Sequence, residues 1–445
     1  MSEIYIEEDV RTVFNILNNA GFECFMVGGC VRDFLLDKKP NDIDFATNAT
    51  PGEIEECFYG FNIIKTGLEH GTVTVIMNKN AYEITTYRVD GDYIDNRRPK
   101  SVEFVQDITN DLARRDFTIN ALAYNPSRGI VDCFNGIEDL QDKVIRCVND
   151  PMQRLNEDAL RILRALRFSA TLGYALENKT KEACFKLAHL LKNISAERVF
   201  AELCKTMVQP DTHKIMFEYI DIWGEIIPEL LKMKGFDQRN PHHVHDVLKH
   251  TCVALEGADS DLIVRLTILF HDVGKPDSFT MDENGNGHFY GHALKSEEIT
   301  RVVLNRLKVD NRTKEQVLTL IKYHDLDLQA TEKYVKRLCY KLGSLDMVKK
   351  LILVQRADNF GQAPLHSERI GKFNQIDNII KKLEKENLSF SLKDLAVDGH
   401  DMINLGFSGK NIGKSLDFIL DAVLNEKVLN KRDELLNYIK NNFSG

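Results

Sequence analysis

The chain lacks any run of about 18 apolar residues, the length a helix needs to cross a bilayer. Its opening, MSEIYIEEDV, is acidic and has no basic-then-apolar layout. That layout leads us to expect a cytoplasmic protein with no membrane partner. Nine cysteines are scattered along the sequence and none form a C-x-x-C pair, which removes zinc knuckles and thioredoxin-type redox motifs. In a reducing cytosol such thiols are expected as small core residues. No internal repeat or low-complexity tract is present. There is also no positive net charge: 58 Lys and Arg against 67 Asp and Glu give −9. That balance counts against a nucleic-acid partner, because phosphate contacts need Lys and Arg. Net charge does not, however, report local patches.

What is present is ordinary for a globular protein. The 445 residues are 43% hydrophobic and 28% charged, and the length predicts two to four domains. Residues 1–22 read as an amphipathic helix, with Val10, Val13, Phe14, Ile16 and Leu17 near helical spacing. Short runs rich in β-branched or aromatic residues follow: Phe25–Val27, Ile43–Ala46, Thr72–Met77, Tyr82–Tyr87 and Val102–Val105. These predict strands, with helices at Val31–Leu36 and Pro51–Phe58. From about 151 onward strands nearly vanish. Met152–Thr171 predicts one helix with a stripe of Leu155, Ala159, Ile162, Leu163 and Leu166. DENGNG (282–287) predicts a hairpin or loop, and Glu384–Ser391 a polar joint before a last helical unit at 393–443.

Four groups of polar residues carry chemistry. Val27-Gly28-Gly29 closes a predicted strand and precedes a helix, where glycines let backbone approach a phosphate. The pattern is not G-x-G-x-x-G, so a dinucleotide site is disfavoured. Asp42 and Asp44 follow on one face of a strand, and two carboxylates so placed repel unless a cation lies between them. Glu83, in an apolar frame, is a candidate third acid. Three such acids suit two Mg²⁺ ions that activate a hydroxyl and stabilise departing pyrophosphate. Arg114-Arg115-Asp116-Phe117-Thr118-Ile119-Asn120 offers guanidinium forks for phosphate, with Asp116 and Asn120 for ribose hydroxyls. Glu157-Asp158-Ala159-Leu160-Arg161 precedes Arg164 and Arg167, with Asp158 and Arg161 expected as helix neighbours. An Asp acceptor beside an Arg donor matches the amine-and-nitrogen edge shared by cytosine and adenine. It mismatches uracil and guanine, and a mispaired buried polar group is penalised heavily.

These motifs together resemble class II CCA-adding enzymes and their relatives, the bacterial poly(A) polymerases. VGGCVRDFLL, Asp42-x-Asp44, RRDFTINAL and EDALRILRALRF carry the resemblance. HGTVTV (70–75), YEITTYR (82–88), SAERVFAEL (195–203), LAVDGHDMINLG (395–406) and IGKSLDFILDAVL (412–424) extend it along nearly the whole chain. The resemblance implies an α+β protein: a small mixed-sheet nucleotidyltransferase head followed by an all-α neck, body and tail. The expected boundaries are 1–145 for the head, 146–235 for a base-recognising neck, 236–366 for a metal-binding domain and 367–445 for a tRNA-binding tail. Asp42 and Asp44 would hold Mg²⁺. Gly28, Gly29 and Arg32 would hold the triphosphate, and Arg115, Asp116 and Asn120 would serve the sugar. Glu157, Asp158 and Arg161, with Arg164 alongside, would select the base. The implied activity is addition of C, C and A from CTP and ATP to tRNA 3′ ends. Residues 88–99 fill the place of a flexible loop that CC-only relatives lack. A-only addition and poly(A) polymerisation stand as alternatives.

A second constellation is built on histidine. His-Asp occurs at 245–246, 271–272, 324–325 and 400–401, and context selects one: apolar Leu262–Phe270 leads into His271-Asp272-Val273-Gly274-Lys275. With His250 upstream and Asp358 downstream, this resembles the HD phosphohydrolase superfamily. His292 and His324 stand where a second metal would need ligands. Imidazoles with carboxylates suit Mn, Ni, Zn or Fe, and the implied chemistry is metal-hydroxide attack on a phosphoester. A 2′,3′-cyclic phosphate at an RNA end, or a nucleotide monoester, is the expected target. The competing reading makes the protein chiefly such a phosphohydrolase. Segment 367–445 holds twelve basic and twelve acidic residues, so tRNA binding there is expected to be modest and salt-sensitive.

Overall fold

The computed structural model describes residues 6–67, 71–91, 93–94, 98–99, 101–239, 245–362, 367–385, 392–425 and 427–443. His70, Asp92, Asp95–Arg97 of the expected loop, and 386–391 of the expected polar joint lie outside them. The chain forms two compact units, 1–211 with 218–226, and 212–217 with 227–445. Among the described residues no helix is long and apolar enough to cross a membrane.

In the first unit, α1 (Glu8–Asn19) buries Val10, Val13, Phe14 and Leu17, the i, i+3, i+4, i+7 stripe that a helix shows to a core. β1 (Cys24–Val27), α2 (Gly29–Leu35), β2 (Asp44–Thr47) and α3 (Pro51–Cys57) follow. A capping box between Thr50 and Glu53, with Pro51 in the first turn, starts α3. β3 (Asn62–Gly67), β4 (Thr72–Met77) and β5 (Asn80–Thr86) are antiparallel neighbours. The seven-stranded sheet runs Gly129–Asp132, Leu122–Asn125, β1, β2, β5, β4, β3. Only the β2–β5 pair is parallel, so the sheet is mixed and the fold class is α+β, as expected. Three of its strands, β3, Leu122–Asn125 and Gly129–Asp132, are additions to the sequence reading. Leu122–Asn125 is buried at all four positions, so it shows no alternation for a pattern to find.

The single helix expected over 152–171 is two: Pro151–Glu157 and Leu160–Leu172. Asp158 lies between them with extended backbone, φ −134° and ψ 101°. Its Oδ1 accepts from Leu160 N at 3.1 Å, so the side chain acts at the start of the second helix rather than within the first.

Among the described residues the second unit is helical apart from the short hairpin Thr280–Met281 with Gly287–His288, which encloses the DENGNG turn. Helix Leu262–Phe270 is buried from Val264 to Phe270, so it runs through the core of its unit and delivers His271 and Asp272 at its end. Toward the C-terminus a separate core cluster gathers Met402, Ile419, Leu420, Leu435 and Ile439.

Candidate functional site

The first unit carries a cavity of about 560 Å³. Its wall includes Gly28, Gly29, Asp42, Asp44 and, from the far side, helix Leu160–Leu172. Seven arginines against four aspartates line it. An acidic chain thus gathers guanidinium donors at one place, a local feature that net charge does not report.

The sheet places the acids. β2 and β5 pair in parallel with Asp44 opposite Glu83, so their side chains leave the same face. Burial, with Asp42 and Glu83 nearby, pushes the Asp44 carboxyl up to about 6 against a partial offset from Arg115. Crowded carboxylates of this kind are what a divalent cation relieves, so the donor set fits one. Asp42 and Asp44 belong to the cavity wall, and Glu83 stands beside Asp44 across the sheet.

Gly28 is required by its surroundings. Its φ is +79°, and a Cβ there would lie 2.8 Å from Arg115 Nη1. The arginines behind it are fixed by acids. Asp111, wholly buried, accepts from Arg114 at 2.7 Å and Arg115 at 3.1 Å. Burial raises this carboxyl, but the two guanidinium groups outweigh it and hold it below its ordinary value. Arg32 donates to Asn120 Oδ1 at 2.8 Å and to Asp33. Asn120 in turn donates to Asp116 Oδ1 at 3.2 Å. Asp116 Oδ2 lies 2.6 Å from Arg164 Nη2. Burial raises Asp116, yet Arg164, Asn120 and Arg161 bring it down to about 2.

The base-selecting set differs from the sequence expectation. Asp158 and Arg161 do not pair as helix neighbours, because the chain is extended at Asp158. Asp158 Oδ2 instead accepts from Arg198 Nη2 at 2.9 Å. Arg161 donates to Glu157 Oε2 at 2.8 Å and to the carbonyls of Arg154 and Arg114. Glu157 stands behind the wall; Asp158 and Arg161 are in it. The structure also adds residues that the sequence reading missed. Phe168 carries the guanidinium groups of Arg32, Arg164 and Arg167 at 5.2, 5.4 and 4.4 Å from its ring centre. Arg167 is held by Glu202 at 2.7 Å. The i, i+3, i+6 spacing of Arg161, Arg164 and Arg167 was the available signal for this helix face. Arg198 and Glu202, i and i+4 within SAERVFAEL, were the signal for its partner.

The second unit brings the histidine set together. His250, His271 and Asp272 form one group of converging donor atoms, and Asp272, His292 and His324 another. Asp272 is shared. Asp358 Oδ1 stands 2.9 Å from His250 Nε2 and 3.4 Å from His271 Nε2. Each of the four imidazoles turns Nδ1 to a backbone carbonyl: His250 to Gly361 at 3.0 Å, His271 to Ile268 at 2.7 Å, His292 to Phe289 at 2.9 Å, His324 to Ile321 at 2.7 Å. Such carbonyls fix the proton on Nδ1 and leave Nε2 for a ligand role. The four Nε2 atoms face inward, with His250–His271 at 3.3 Å and His292–His324 at 3.2 Å. Both Asp272 carboxylate oxygens are buried without a well-aligned hydrogen bond, though Lys275 Nζ lies 2.6 Å from Oδ2. A buried carboxylate left so, among inward imidazole nitrogens, is a donor set that fits divalent metal, which His250, His271, Asp272, His292, His324 and Asp358 would hold. Burial disfavours charge on His271, but Asp272 and Asp358 outweigh it and hold this imidazole up to about 10. Burial and His271 push His324 down to about 3.

Three family models match segments of the chain. A "Poly A polymerase head domain" model matches residues 24–146, and "tRNA nucleotidyltransferase domain 2" matches 289–439. "Probable RNA and SrmB-binding site of polymerase A" matches 173–231. A CCA-adding enzyme of Lactobacillus helveticus is 34% identical over 430 residues, 96% of this chain and 95% of that one. One of Pediococcus pentosaceus is 47% identical over 201 residues, 45% of this chain and 50% of that one. The solved Bacillus stearothermophilus CCA-adding enzyme in complex with CTP has a TM-score of 0.72 at 26% identity, covering 98% of each chain.

Proposed function

The chain belongs to the family of CCA-adding enzymes, and on that premise we propose how its two sites work. The protein is a nucleotidyltransferase that adds C, C and A from CTP and ATP to the 3′ end of tRNA, without a nucleic-acid template and in the cytoplasm. The observation that carries this is the arginine-lined cavity, in which Gly28, Asp42, Asp44 and Arg161 face one space.

The terminal tRNA hydroxyl attacks the α-phosphorus of the bound nucleotide. A P–O bond forms to that oxygen, the bond to the β-phosphate breaks, and pyrophosphate leaves while the hydroxyl proton is lost to solvent. Mg²⁺ held by Asp42, Asp44 and Glu83 supplies activation of the hydroxyl and charge neutralisation when bound. Gly28, Gly29 and Arg32 seat the triphosphate. Arg115, fixed by Asp111, reaches the same anion with a fork that has little freedom to lose. Asp116 and Asn120 meet the ribose. Asp158 and Arg161 meet the base edge, with Glu157 holding Arg161 and Arg164 anchoring Asp116. The 367–445 tail contacts tRNA, and arginines with duplex shape supply the affinity.

The second reading is specific to the histidine cluster. The four Nδ1-to-carbonyl contacts support a dinuclear HD site of His250, His271, Asp272, His292, His324 and Asp358 holding Mn, Ni, Zn or Fe. Such a pair supplies hydroxide at neutral pH when bound. Water's oxygen joins phosphorus, one ribose oxygen departs with the proton, and a 2′,3′-cyclic phosphate opens to a monoester.

Both readings are tested on transcripts of one tRNA ending at the discriminator base, at +C and at +CC. Each is incubated with Mg²⁺ and CTP, ATP or both, and resolved on single-nucleotide gels. Growth of the shortest by three supports CCA addition. Extension of the +CC transcript alone makes this an A-adding enzyme, and a long ladder with ATP alone a poly(A) polymerase. Asp42→Ala abolishes incorporation and spares hydrolysis of cyclic phosphate with Mn²⁺ or Ni²⁺; Asp272→Ala does the reverse. Loss of both activities in either variant overturns the separation.

A further inference from the structure

The histidine cluster opens into a cavity of about 360 Å³, lined by Asp272, His292, His324, Lys275 and the segment Phe289–Gly291. That volume is within the range of small-ligand sites, roughly 300–1,000 Å³. Its charge is unsuited to an anion on its own. Asp272, Asp325 and Asp358 face it, and Lys275 is committed to Asp272 and to Gln238 at 2.9 Å. Metal held by the histidine cluster would supply the grip on phosphate, and selectivity for the rest of a substrate would come from elsewhere on the wall.

Tyr290 is the conspicuous element of that wall. Its side chain is large, partly apolar and 79% exposed. Its ring lies nearly parallel to His288, 9° between planes and 5.4 Å between centres. His288 is itself held, with Nε2 3.1 Å from Asp282 Oδ2 across the hairpin turn. Beneath, Phe289 packs on Phe279 and Phe279 on Phe236. An exposed aromatic ring is thus backed by a fixed imidazole, and the residue before it in the chain is anchored among aromatic rings. Gly291, at φ +75°, turns the chain directly into the helix that begins with His292. Two peptide steps separate Tyr290 from that metal-ligand candidate, at most about 7.6 Å between Cα atoms. Tyr290 and the candidate ligands Asp272, His292 and His324 line the same cavity, so a ligand seated there can meet both.

We propose that the ring of Tyr290, backed by His288, is the platform on which the substrate's terminal nucleobase stacks, so that the histidine site selects nucleoside phosphates over other phosphoesters. The inference rests on the hydrolytic reading of that site for its reaction but not for its binding. Stacking tolerates all four bases, because every base has a π-face. This matches RNA ends of varied sequence better than a hydrogen-bonding pocket would.

Two measurements decide it, each made on the full chain as wild type, Tyr290→Ala and Tyr290→Phe. The first is kinetic, with Mn²⁺ or Ni²⁺. Adenosine 2′,3′-cyclic phosphate is compared with methyl riboside 2,3-cyclic phosphate, which has no base. Tyr290→Ala raises KM for the nucleotide about tenfold or more, keeps kcat within about twofold and leaves the base-free substrate unchanged. Tyr290→Phe behaves as wild type. Equal loss on both substrates, or no loss on either, overturns the proposal. The second is binding, read as quenching of 2-aminopurine riboside 3′-phosphate fluorescence, which stacking produces. Quenching that is reduced in Tyr290→Ala and retained in Tyr290→Phe supports the platform; equal quenching in all three overturns it. Reduced quenching without hydrolysis under any metal keeps the platform and sinks the hydrolytic reading. CCA addition with Mg²⁺ stays unchanged in both variants and reports that they fold.

Discussion

Asp158 Oδ2 accepts a hydrogen bond from Arg198 Nη2 at 2.9 Å, across forty residues of chain. The carboxylate proposed to read the base edge is therefore oriented by a different helix from the one that carries Arg161. Arg198→Ala leaves Asp158 without its charged partner. Charge-assisted bonds of this kind are worth about 1.5–3 kcal/mol, so KM for CTP and ATP should rise about tenfold, with kcat less affected. Selection against UTP and GTP should weaken as well. Single-nucleotide incorporation kinetics with all four triphosphates check this, and an unchanged KM would show that Asp158 is oriented without Arg198.

Asp44 carries an internal conflict between stability and activity. Burial, Asp42 and Glu83 push its carboxyl up to about 6, against about 3.9 in an unfolded chain. Between those values the folded state binds more protons, so stability falls as pH rises through the window. With EDTA present, Asp44→Asn should stabilise the protein by about 1–2 kcal/mol at pH 7.5 and by almost nothing at pH 4. It should also abolish incorporation with Mg²⁺. Urea unfolding at the two pH values is the measurement. Equal destabilisation at both would mean that the carboxylate is not crowded.

The sequence was informative where a pattern is local. β1, β4 and β5 alternate or run apolar over a few residues and lie near their predicted places. Asp42 and Asp44 do line one cavity and His271 and Asp272 do join one cluster, although Asp42 precedes β2 and does not share its strand face with Asp44 as the spacing suggests. Two features escaped for opposite reasons. The break at Asp158 occurs inside a continuous apolar stripe, and a side-chain oxygen bonding to Leu160 N overrides that periodicity. The partnership of Asp158 with Arg198, and the seat of three arginines on Phe168, are contacts across the fold. No one-dimensional pattern names a partner forty residues away. Composition likewise averages over a chain whose fold gathers seven arginines, each with an acidic partner, around one cavity.

Asp111 holds Arg114 and Arg115 from a position with no exposure. Removing one member of a buried charged group leaves the others uncompensated, at a cost of about 3–5 kcal/mol. Asp111→Ala should lose stability of that order in urea unfolding at neutral pH. Its folded carboxyl lies below the ordinary value. The stability it contributes is therefore present above the unfolded pKa and is lost as pH falls through the folded one. The difference between wild type and Asp111→Ala should narrow in acid. A gap that widened as pH fell would place the carboxylate outside the arginine pair.

Gly361 gives the proposed metal site a test independent of turnover. A Cβ there would lie 2.9 Å from His250 Nδ1 and 3.0 Å from Cε1. The Gly361 carbonyl is the acceptor that keeps the His250 proton on Nδ1. Gly361→Ala forces the imidazole and this carbonyl apart. Losing a group that orients a metal-bound imidazole typically costs about 10–100-fold in metal affinity. Mn²⁺ or Ni²⁺ affinity, measured by competition with a chelating dye, should fall by that factor. Incorporation of CTP and ATP with Mg²⁺ should hold, since Asp42 and Asp44 belong to the other unit. Unchanged metal affinity with a shifted His250 would remove that residue from the ligand set and leave Asp358 and His271 to carry its side of the site.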